Sequence, residues 1–257
     1  MRKTIVITAG GTSEEIDNVR TITNMSTGKL GVTICNTLLS KISKEIEMIY
    51  YVCSSLSLRP LENEKIKVII IKGTYDLKEK LEDLLNSVKV DFFIHSMAVS
   101  DYTTDYVSSV ERMTDELVNK FLKVKDNITK DELSSLIHET IDCPDNKISR
   151  DKKMSSSEKG MIIKLKQTPK VISIIKQLQP RLTLIGFKLL SDVSKDELTR
   201  VALNLLEKNN CDYVVANDLA DIKKGNHNAI IISKNGEETH VSGKNAIACK
   251  ISDIVKG

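Results

Sequence analysis

The sequence predicts an α/β protein built on a largely parallel, doubly wound sheet. Short apolar runs typical of strands alternate with stretches in which apolar residues recur at helical spacing, and this alternation implies βαβ crossovers. Near the end of the chain, Asn235 and Gly236 lie between two β-rich runs and predict a hairpin. The stretch at about 105–150 is charged and polar, so we expect a partly helical insertion or flap there.

The first part of the chain follows this pattern element by element. Ile5–Ile7 predicts a strand that ends at Gly10-Gly11, and a helix follows Gly31 because Ile34, Leu38 and Ile42 recur at helical spacing. Beyond it we expect strands over 46–52 and 66–71, an amphipathic helix over 77–88 and a strand over 90–94.

The second part begins with the insertion, which lacks a β-rich run and has weak helical patterns at 110–124 and 132–141. The alternation then resumes, with Pro169 at the start of one helix and Pro180 past its end. We expect strands over 161–165, 182–187 and 213–216, helices over 171–178 and 198–206, the hairpin 229–232 and 238–241, and a last helix over 244–255. Together these elements predict one Rossmann-like domain over residues 1–257.

The composition argues against several classes of function, including nucleic-acid binding and structural zinc sites. The 257 residues carry a net charge of +3 without a long basic block, and only 4% are aromatic with no Trp, so a nucleic-acid partner is not expected. The five cysteines are odd in number and never in C-x-x-C, which predicts neither a disulfide framework nor a zinc site. Because no signal peptide or membrane-spanning stretch is evident, we expect a cytoplasmic protein without a membrane partner.

Two glycine-punctuated loops flank the first predicted βα unit. Gly10 and Gly11 allow positive φ and leave the backbone amides open, while Ser26, Thr27 and Gly28 precede a helix whose first N–H groups lack partners. Such amides, with the positive end of the helix dipole, favour a bound phosphate. Either loop alone could be an ordinary tight turn or an ordinary N-cap at Ser26 or Thr27.

These residues carry a resemblance to a known family. The pattern T-A-G-G-T, then V-R, then Asn24 two residues before S-T-G-K, and a closing Gly31, resembles the opening motif of phosphopantothenate–cysteine ligase, an enzyme of coenzyme A biosynthesis. The resemblance extends over nearly the whole chain. It implies that 4′-phosphopantothenate and L-cysteine are joined through an acyl-nucleotidyl intermediate, with release of pyrophosphate and nucleoside monophosphate. It also implies a homodimer and, for Asn24, a role in converting that intermediate.

Further motifs extend the resemblance to the expected nucleotide pocket. Residues 95–102 resemble the family's A-A-V-A-D-Y, which implies that Met97 and Asp101 line the pocket; a carboxylate there could also help hold Mg²⁺. Asp101 could instead cap the next turn. His95, in the same motif, has the weaker claim to chemistry and is better interpreted as a core histidine.

The remaining motifs lie in the second half of the chain. Residues 153–156 resemble the family's K-I-x-S/T-S/T, which implies that Lys153 contacts the nucleotide phosphates, and Pro169 belongs to the motif that follows. Phe187 resembles the aromatic residue that stacks on the base, and Asn217 lies in a V-A-N-D motif that contacts the ribose or base. From sequence alone, Phe187 could equally be an ordinary core residue.

One departure bears on the choice of nucleotide. Leu205 and Asn209 stand where the longer bacterial enzymes have two lysines that reach the phosphates, although Lys208 could substitute for one. We expect CTP as the co-substrate, with ATP as the alternative and Mg²⁺ as the cofactor. The length leaves no room for the fused decarboxylase of many bacterial versions, so we expect the monofunctional form.

Two other functions remain open. A noncatalytic nucleotide-binding protein could retain the same fold. An NAD(P)-dependent oxidoreductase is less favoured, because Gly10-Gly11 is not G-x-G-x-x-G and the strand that ends at Cys53 lacks the acid that binds a ribose hydroxyl.

Overall fold

The computed structural model describes residues 2–126, 128–151, 153–155 and 160–257. Its strands are β1 (Lys3–Ala9), β2 (Ser13–Glu15), β3 (Thr21–Thr23), β4 (Ile46–Ser54), β5 (Ile66–Ile71), β6 (Phe92–His95), β7 (Tyr102–Ser109), β8 (Met161–Gln167), β9 (Thr183–Leu190), β10 (Tyr213–Asp218), β11 (Asn228–Ser233) and β12 (Glu238–Ser242). Its helices are α1 (Lys29–Ile42), α2 (Thr74–Ser87), α3 (Val110–Leu122), α4 (Lys130–Asp142), α5 (Val171–Leu178), α6 (Lys195–Lys208), α7 (Leu219–Lys223) and α8 (Lys244–Lys256).

The chain divides into two compact units. The first comprises Met1–Ser13, Thr23–Ser100 and Pro169–Gly257, and the second comprises Glu14–Ile22 and Asp101–Thr168. The second unit therefore contains the predicted insertion at about 105–150. Whether the whole chain is a single domain stays a prediction.

The first unit is built on one mostly parallel sheet. Among the described residues its strand order is β12-β11-β10-β9-β6-β1-β4-β5, and only the β10–β11 and β11–β12 pairs are antiparallel. Thr8 of β1 pairs with His95 of β6, and His95 pairs with Gly186 of β9, so the carboxyl ends of the central strands lie at one edge. Ligands of open parallel sheets bind at this edge, which we call the carboxyl edge.

Each face of the sheet is covered by helices whose apolar residues recur at helical spacing. In α2 the buried positions are Leu77, Leu81, Leu84 and Leu85, as the sequence predicts, and they share one apolar cluster with α5 and α6. On the opposite face, α1 and α8 form the second cluster. The central strand β1 is fully buried from Ile5 to Ala9, which is typical of a parallel strand covered on both sides.

The second unit contains a two-stranded sheet and two helices. β7 pairs antiparallel with β8, and α3 packs against both β7 and α4. The sequence analysis was wrong to find no strand at the start of the insertion, because Tyr102–Ser109 is β7. Its sequence is rich in threonine and serine, and several of these residues, including Thr104 and Ser108, are buried. Five of its eight residues are Thr, Tyr or Val, which favour strands, but they form no apolar run, and a search for apolar runs therefore misses the strand.

The other predicted elements are confirmed, with boundaries that differ by a few residues. Helix α5 and strand β5 have the predicted limits, and the hairpin β11–β12 turns at Asn235-Gly236, where Gly236 has φ 82°. β2, β3 and α7 are short elements that the sequence pattern does not predict. None of the helices in the described parts of the chain combines the length and apolar character needed to cross a bilayer.

Candidate active site

The loop after β1 lies at the carboxyl edge and is tightly packed against its neighbours. Gly10 has φ 85°, and a Cβ on it would lie 1.7 Å from the Ser57 hydroxyl oxygen. A Cβ on Gly11 would lie 2.6 Å from the Asn24 carbonyl oxygen. The positive φ that we expected at Gly10 is present. However, the space beside both glycines is filled by protein, so both are required for close backbone packing.

The second glycine loop meets the first. Gly28 is the N-cap of α1 with φ 77°, and a Cβ on it would lie 3.3 Å from the Gly10 backbone nitrogen. Neither Ser26 nor Thr27 is the N-cap, so that alternative interpretation is wrong. Gly28 makes no side-chain cap hydrogen bond and the first turn of α1 has no acidic residue. The Thr27 hydroxyl accepts from the Lys29 backbone nitrogen at 3.4 Å, so the anion site at this helix start is limited to the amides that follow Lys29.

Gly31 explains how closely α1 approaches the sheet. It lies in the first turn of the helix, and a Cβ on it would be 2.4 Å from the Ala9 Cβ and 3.2 Å from the Tyr51 hydroxyl oxygen. The helix start is therefore held directly against the end of β1. Gly10, Gly11, Ser26, Gly28 and Gly31 thus belong to one loop cluster.

Asn24 joins this cluster to the end of β6. Its Nδ2 donates to the Ala98 carbonyl oxygen at 3.0 Å, and the Ala98 backbone nitrogen donates to the Gly10 carbonyl at 2.8 Å. The Asn24 side chain is otherwise exposed. A carboxamide nitrogen carries two hydrogens, so a second hydrogen can be donated to a substrate while the first fixes the side chain.

Met97, Phe187 and Asn217 also belong to the first unit. Met97 is buried in the apolar cluster shared by α2, α5 and α6. Phe187 is half-buried and packs against the cluster on the other face, with Ala9. Two strand spacings separate β9 from β1, which places Phe187 about 10 Å from the end of β1. Asn217 is buried and its Nδ2 donates to the Asn228 carbonyl oxygen at 2.8 Å, so part of its amide holds the hairpin.

Pro169, Asp101 and Lys153 lie apart from this loop cluster in the chain. Pro169 immediately precedes Lys170, the N-cap of α5, in the first unit. Asp101 and Lys153 belong to the second unit, and both are exposed. Ser156, the last residue of the motif that begins at Lys153, lies outside the described residues.

His95 is buried, in agreement with its interpretation from the sequence as a core histidine. Its Nδ1 lies 2.8 Å from the Thr8 hydroxyl oxygen in a hydrogen bond, and burial lowers the pKa of His95 to about 4. The imidazole is therefore neutral at physiological pH.

Leu205 and Asn209, which replace two lysines of the longer bacterial enzymes, say less about the choice of nucleotide than the sequence suggested. Leu205 packs beside Gly186, and the side chain of Asn209 donates to the Leu205 carbonyl oxygen at 3.1 Å. Because α6 connects two parallel strands, its last turn precedes the amino end of β10, away from the carboxyl edge of the same sheet. Lysines at these two positions would not lie beside the α1 loops of this unit.

Two residues of the site were missed by the sequence analysis. The Ser57 hydroxyl bonds to that of Ser54 at 2.7 Å and fills the space beside Gly10. The Thr12 hydroxyl accepts from the Ser100 backbone nitrogen at 2.9 Å and links the two loops of the carboxyl edge. Ser57 lies in no recognised motif and only its long-range contacts distinguish it, whereas Thr12 is the last residue of the T-A-G-G-T pattern and could have been singled out there. Among the described residues, no group of three or more His, Cys, Asp or Glu side chains could hold a metal ion.

Comparison with known proteins identifies a matching family. The family model described as "DNA/pantothenate metabolism flavoprotein C-terminal domain" matches residues 1–138 and 144–257. A solved structure titled as the DNA/pantothenate metabolism flavoprotein from Streptococcus pneumoniae is 35% identical, with a TM-score of 0.77 and coverage of 99% of this chain and 98% of that one. This similarity supports the Rossmann-like α/β fold.

Two other proteins are more distant. The coenzyme A biosynthesis bifunctional protein CoaBC of Thermococcus kodakarensis is 27% identical over 232 residues, which is 90% of this chain but 45% of that protein. The chain therefore spans about half the length of this curated relative. The structure of a Cab2 mutant in complex with phosphopantothenate-cysteine is 16% identical, with a TM-score of 0.64 over 98% of this chain and 87% of that one, and it shows similarity of fold alone.

Proposed function

The chain belongs to the family described as the DNA/pantothenate metabolism flavoprotein C-terminal domain, and from this we propose that it ligates 4′-phosphopantothenate and L-cysteine in coenzyme A biosynthesis. The observation that carries the proposal is the loop cluster at the carboxyl edge, where Asn24 lies beside the glycines and the uncapped start of α1. The names of the relatives agree with it: one is a coenzyme A biosynthesis protein, and a structure of the same fold contains phosphopantothenate-cysteine.

The proposed reaction has two steps. A carboxylate oxygen of phosphopantothenate attacks the α-phosphorus of a nucleoside triphosphate, and the bond to the departing pyrophosphate breaks. The amino group of cysteine then attacks the acyl carbon of the resulting anhydride, loses a proton, and nucleoside monophosphate leaves. Such chemistry needs positioning and charge stabilisation more than a covalent nucleophile.

Each residue has a role that suits its chemistry. The uncapped amides of α1 would bind phosphate oxygens, and Lys153 would follow the charge that develops at phosphorus. Asn24 would donate an amide hydrogen to the acyl oxygen as negative charge forms there during the second step. Phe187 would stack on the base, and Asn217 would contact the ribose or base through the part of its amide that the hairpin does not use.

The nucleotide and the metal are part of the proposal. We expect CTP, with ATP as the alternative, and Mg²⁺ bound chiefly through the triphosphate and water. Mg²⁺ commonly binds in this way with one or two carboxylates, so the lack of a larger ligand cluster in the described residues is compatible with it. Asp101 is the carboxylate that the resemblance offers. Bound Mg²⁺ would neutralise phosphate charge. The expected homodimer rests on the family resemblance, and the expected cytoplasmic location rests on the sequence analysis.

A pyrophosphate assay tests the function. Purified protein with Mg²⁺, phosphopantothenate and either CTP or ATP should release pyrophosphate, and added cysteine should yield phosphopantothenoyl-cysteine. Omitting phosphopantothenate should abolish the release. Failure with both nucleotides would refute the ligase and leave the noncatalytic nucleotide-binding protein. A substrate-dependent absorbance change at the nicotinamide band would instead indicate an oxidoreductase.

A further inference from the structure

A buried carboxylate organises the turn of the second unit that contains Asp17. The Asp17 side chain is fully buried. Its Oδ1 accepts hydrogen bonds from the backbone nitrogens of Val19 at 2.9 Å and Arg20 at 2.7 Å. The Ile16 backbone nitrogen also donates to the Arg20 carbonyl at 2.9 Å, which closes the turn. These local bonds leave Oδ2 of Asp17 directed to a partner elsewhere in the chain.

That partner is the backbone next to Lys153. Oδ2 of Asp17 accepts from the Met154 backbone nitrogen at 3.2 Å, and the Arg20 guanidinium donates to the Met154 carbonyl at 3.0 Å. Arg20 also lies 3.5 Å from Oδ2 of Asp17. The side chain of Asn18 donates to the Asp151 carbonyl at 3.2 Å. A single turn therefore binds the chain on both sides of Lys153.

The same segment is anchored in the opposite direction by Arg150. Its guanidinium donates to the carbonyls of Glu15, Ile16 and Thr104. All these contacts lie within the second unit. Lys153 itself is exposed. The flexible Lys153 side chain thus extends from a backbone segment whose position is fixed by hydrogen bonds with the turn at residues 17–20.

We propose that Asp17 is a positioning residue that fixes the backbone of Lys153, so that its ammonium group is presented to the phosphates of the nucleotide. This inference rests on the proposed function and assigns a role to a residue that does not itself touch substrate. Without the bond to Met154, the Lys153 backbone would sample a wider range of positions, and misplacement of a charged group by about 1 Å can reduce a rate on the order of 100-fold.

The position calls for a carboxylate rather than an amide. Burial alone would raise the pKa of Asp17, but the hydrogen bonds from Val19, Arg20 and Met154 and the charge of Arg20 together hold that pKa below its ordinary value. Ionised aspartate accepts at both oxygens, whereas asparagine has one accepting oxygen and one donating nitrogen. Asp17→Asn keeps the shape of the side chain but replaces one accepting oxygen by an NH₂ group. This group would face either the backbone N–H groups of Val19 and Arg20 or that of Met154, and a donor cannot accept from them.

Glu116→Gln supplies a matched control in the same unit. Glu116 is also a buried carboxylate, and it accepts from the backbone nitrogens of Asp145 at 2.9 Å and Asn146 at 3.0 Å. It makes no such bond to the segment 150–154 among the described contacts. Both variants therefore lose a comparable buried interaction, but only Asp17→Asn releases the backbone beside Lys153.

The test is a double-mutant cycle measured by initial rates of pyrophosphate release. We expect Asp17→Asn to lower kcat by roughly 10- to 100-fold with less than about a threefold change in nucleotide KM, and Glu116→Gln to change kcat less than about twofold. In a Lys153→Ala background, Asp17→Asn should have almost no further effect, because its role acts through the missing ammonium. An equal loss in both backgrounds, or in both carboxylate variants, would overturn the proposal.

Amide hydrogen exchange gives a readout that does not depend on activity. Asp17→Asn should speed exchange in the peptide that contains Met154, and Glu116→Gln should leave that peptide unchanged. Unchanged exchange in Asp17→Asn would overturn the positioning role whatever the rates show. If the wild-type protein releases no pyrophosphate, the ligase proposal fails on its own, while exchange still decides whether Asp17 fixes this backbone.

Discussion

Replacement of Gly31 by alanine should destabilise the protein although it places a better helix former in α1. Alanine is favoured over glycine inside a helix by up to about 1 kcal/mol. At this position, however, the new methyl carbon would lie 2.4 Å from the Ala9 Cβ and 3.2 Å from the Tyr51 hydroxyl oxygen. Both Cβ atoms are fixed to backbone, so no change of rotamer relieves the contact.

The size of the effect follows from these distances. Carbon atoms in favourable contact are about 3.5–4.0 Å apart, so the start of α1 and the end of β1 must separate by more than an ångström. Overpacking of this kind costs about 1–3 kcal/mol. Because the contact joins two backbone-anchored atoms, we take the upper end, and after subtraction of the helix preference a net loss of about 2 kcal/mol remains.

Urea unfolding of four variants, Gly31→Ala, Ala9→Gly, the double variant and Asn36→Ala, separates the steric effect from helix preference. Gly31→Ala should lower the unfolding free energy by about 2 kcal/mol, equivalent to roughly 4–8 °C in Tm for a chain of this size. Asn36→Ala, on the exposed face of the same helix, should be neutral or slightly stabilising. Adding Ala9→Gly to Gly31→Ala should recover part of the loss, which a double-mutant cycle would record as positive coupling.

A Gly31→Ala protein as stable as the wild-type protein, or a lack of coupling with Ala9→Gly, would refute the steric prediction. Either result would mean that α1 does not press against β1 as described. A stable variant whose nucleotide KM alone rises would indicate that the helix start moved without loss of packing, and it would also contradict the steric argument.

Three further predictions follow from single side chains. Asn24→Ala and Asn24→Asp should still release pyrophosphate but form little amide product, because neither donates a hydrogen bond to the acyl oxygen; an unchanged ligation rate would reject the role. Burial lowers the pKa of His95 to about 4 from 6.5, so the unfolded chain binds a proton before the folded protein does as pH falls. The free energy of unfolding should therefore fall by about 2 kcal/mol between pH 7 and pH 5. Urea unfolding of His95→Gln should show no such dependence on pH. Iodoacetamide at pH 8 should label exposed Cys143 in the native protein, whereas Cys35 and Cys211, whose pKa values burial raises to about 12, should react only after unfolding, as peptide mass spectrometry would show.

The order of strands and helices could be predicted because it depends on local periodicity. The apolar run Ile5–Ile7 predicts a buried strand, and the spacing of the leucines in α2 predicts a helix with one buried face. The turn at Asn235-Gly236 is likewise predicted by two adjacent residues without reference to distant contacts. β7 was missed because its strand-favouring residues are threonine and tyrosine rather than an apolar run, and its pairing with β8 is what identifies it.

The site shows the same division. The glycines at 10, 11, 28 and 31 could be singled out from their motif, but the reasons for three of them lie in long-range contacts with Ser57, Asn24 and Ala9. The bond between Asp17 and Met154 joins residues 137 positions apart, and no local pattern encodes it. The sequence therefore identifies motif residues such as the glycines, but the contacts that give each residue its role are visible only in the folded structure.

The helices of the first unit differ in how their first amides are capped. α6 is capped by the Ser194 hydroxyl, whereas α1 and α5 of the same unit begin at Gly28 and Lys170 without a side-chain cap. A side-chain cap occupies the amides that an anion would bind, and its loss costs about 1 kcal/mol when nothing replaces it. A helix start without a side-chain cap is therefore tolerable if another acceptor satisfies its amides. Gly28, singled out as the residue before a helix start, and Pro169, assigned to the nucleotide on resemblance alone, lie at these two starts, which is the physical reason to seek the phosphates there.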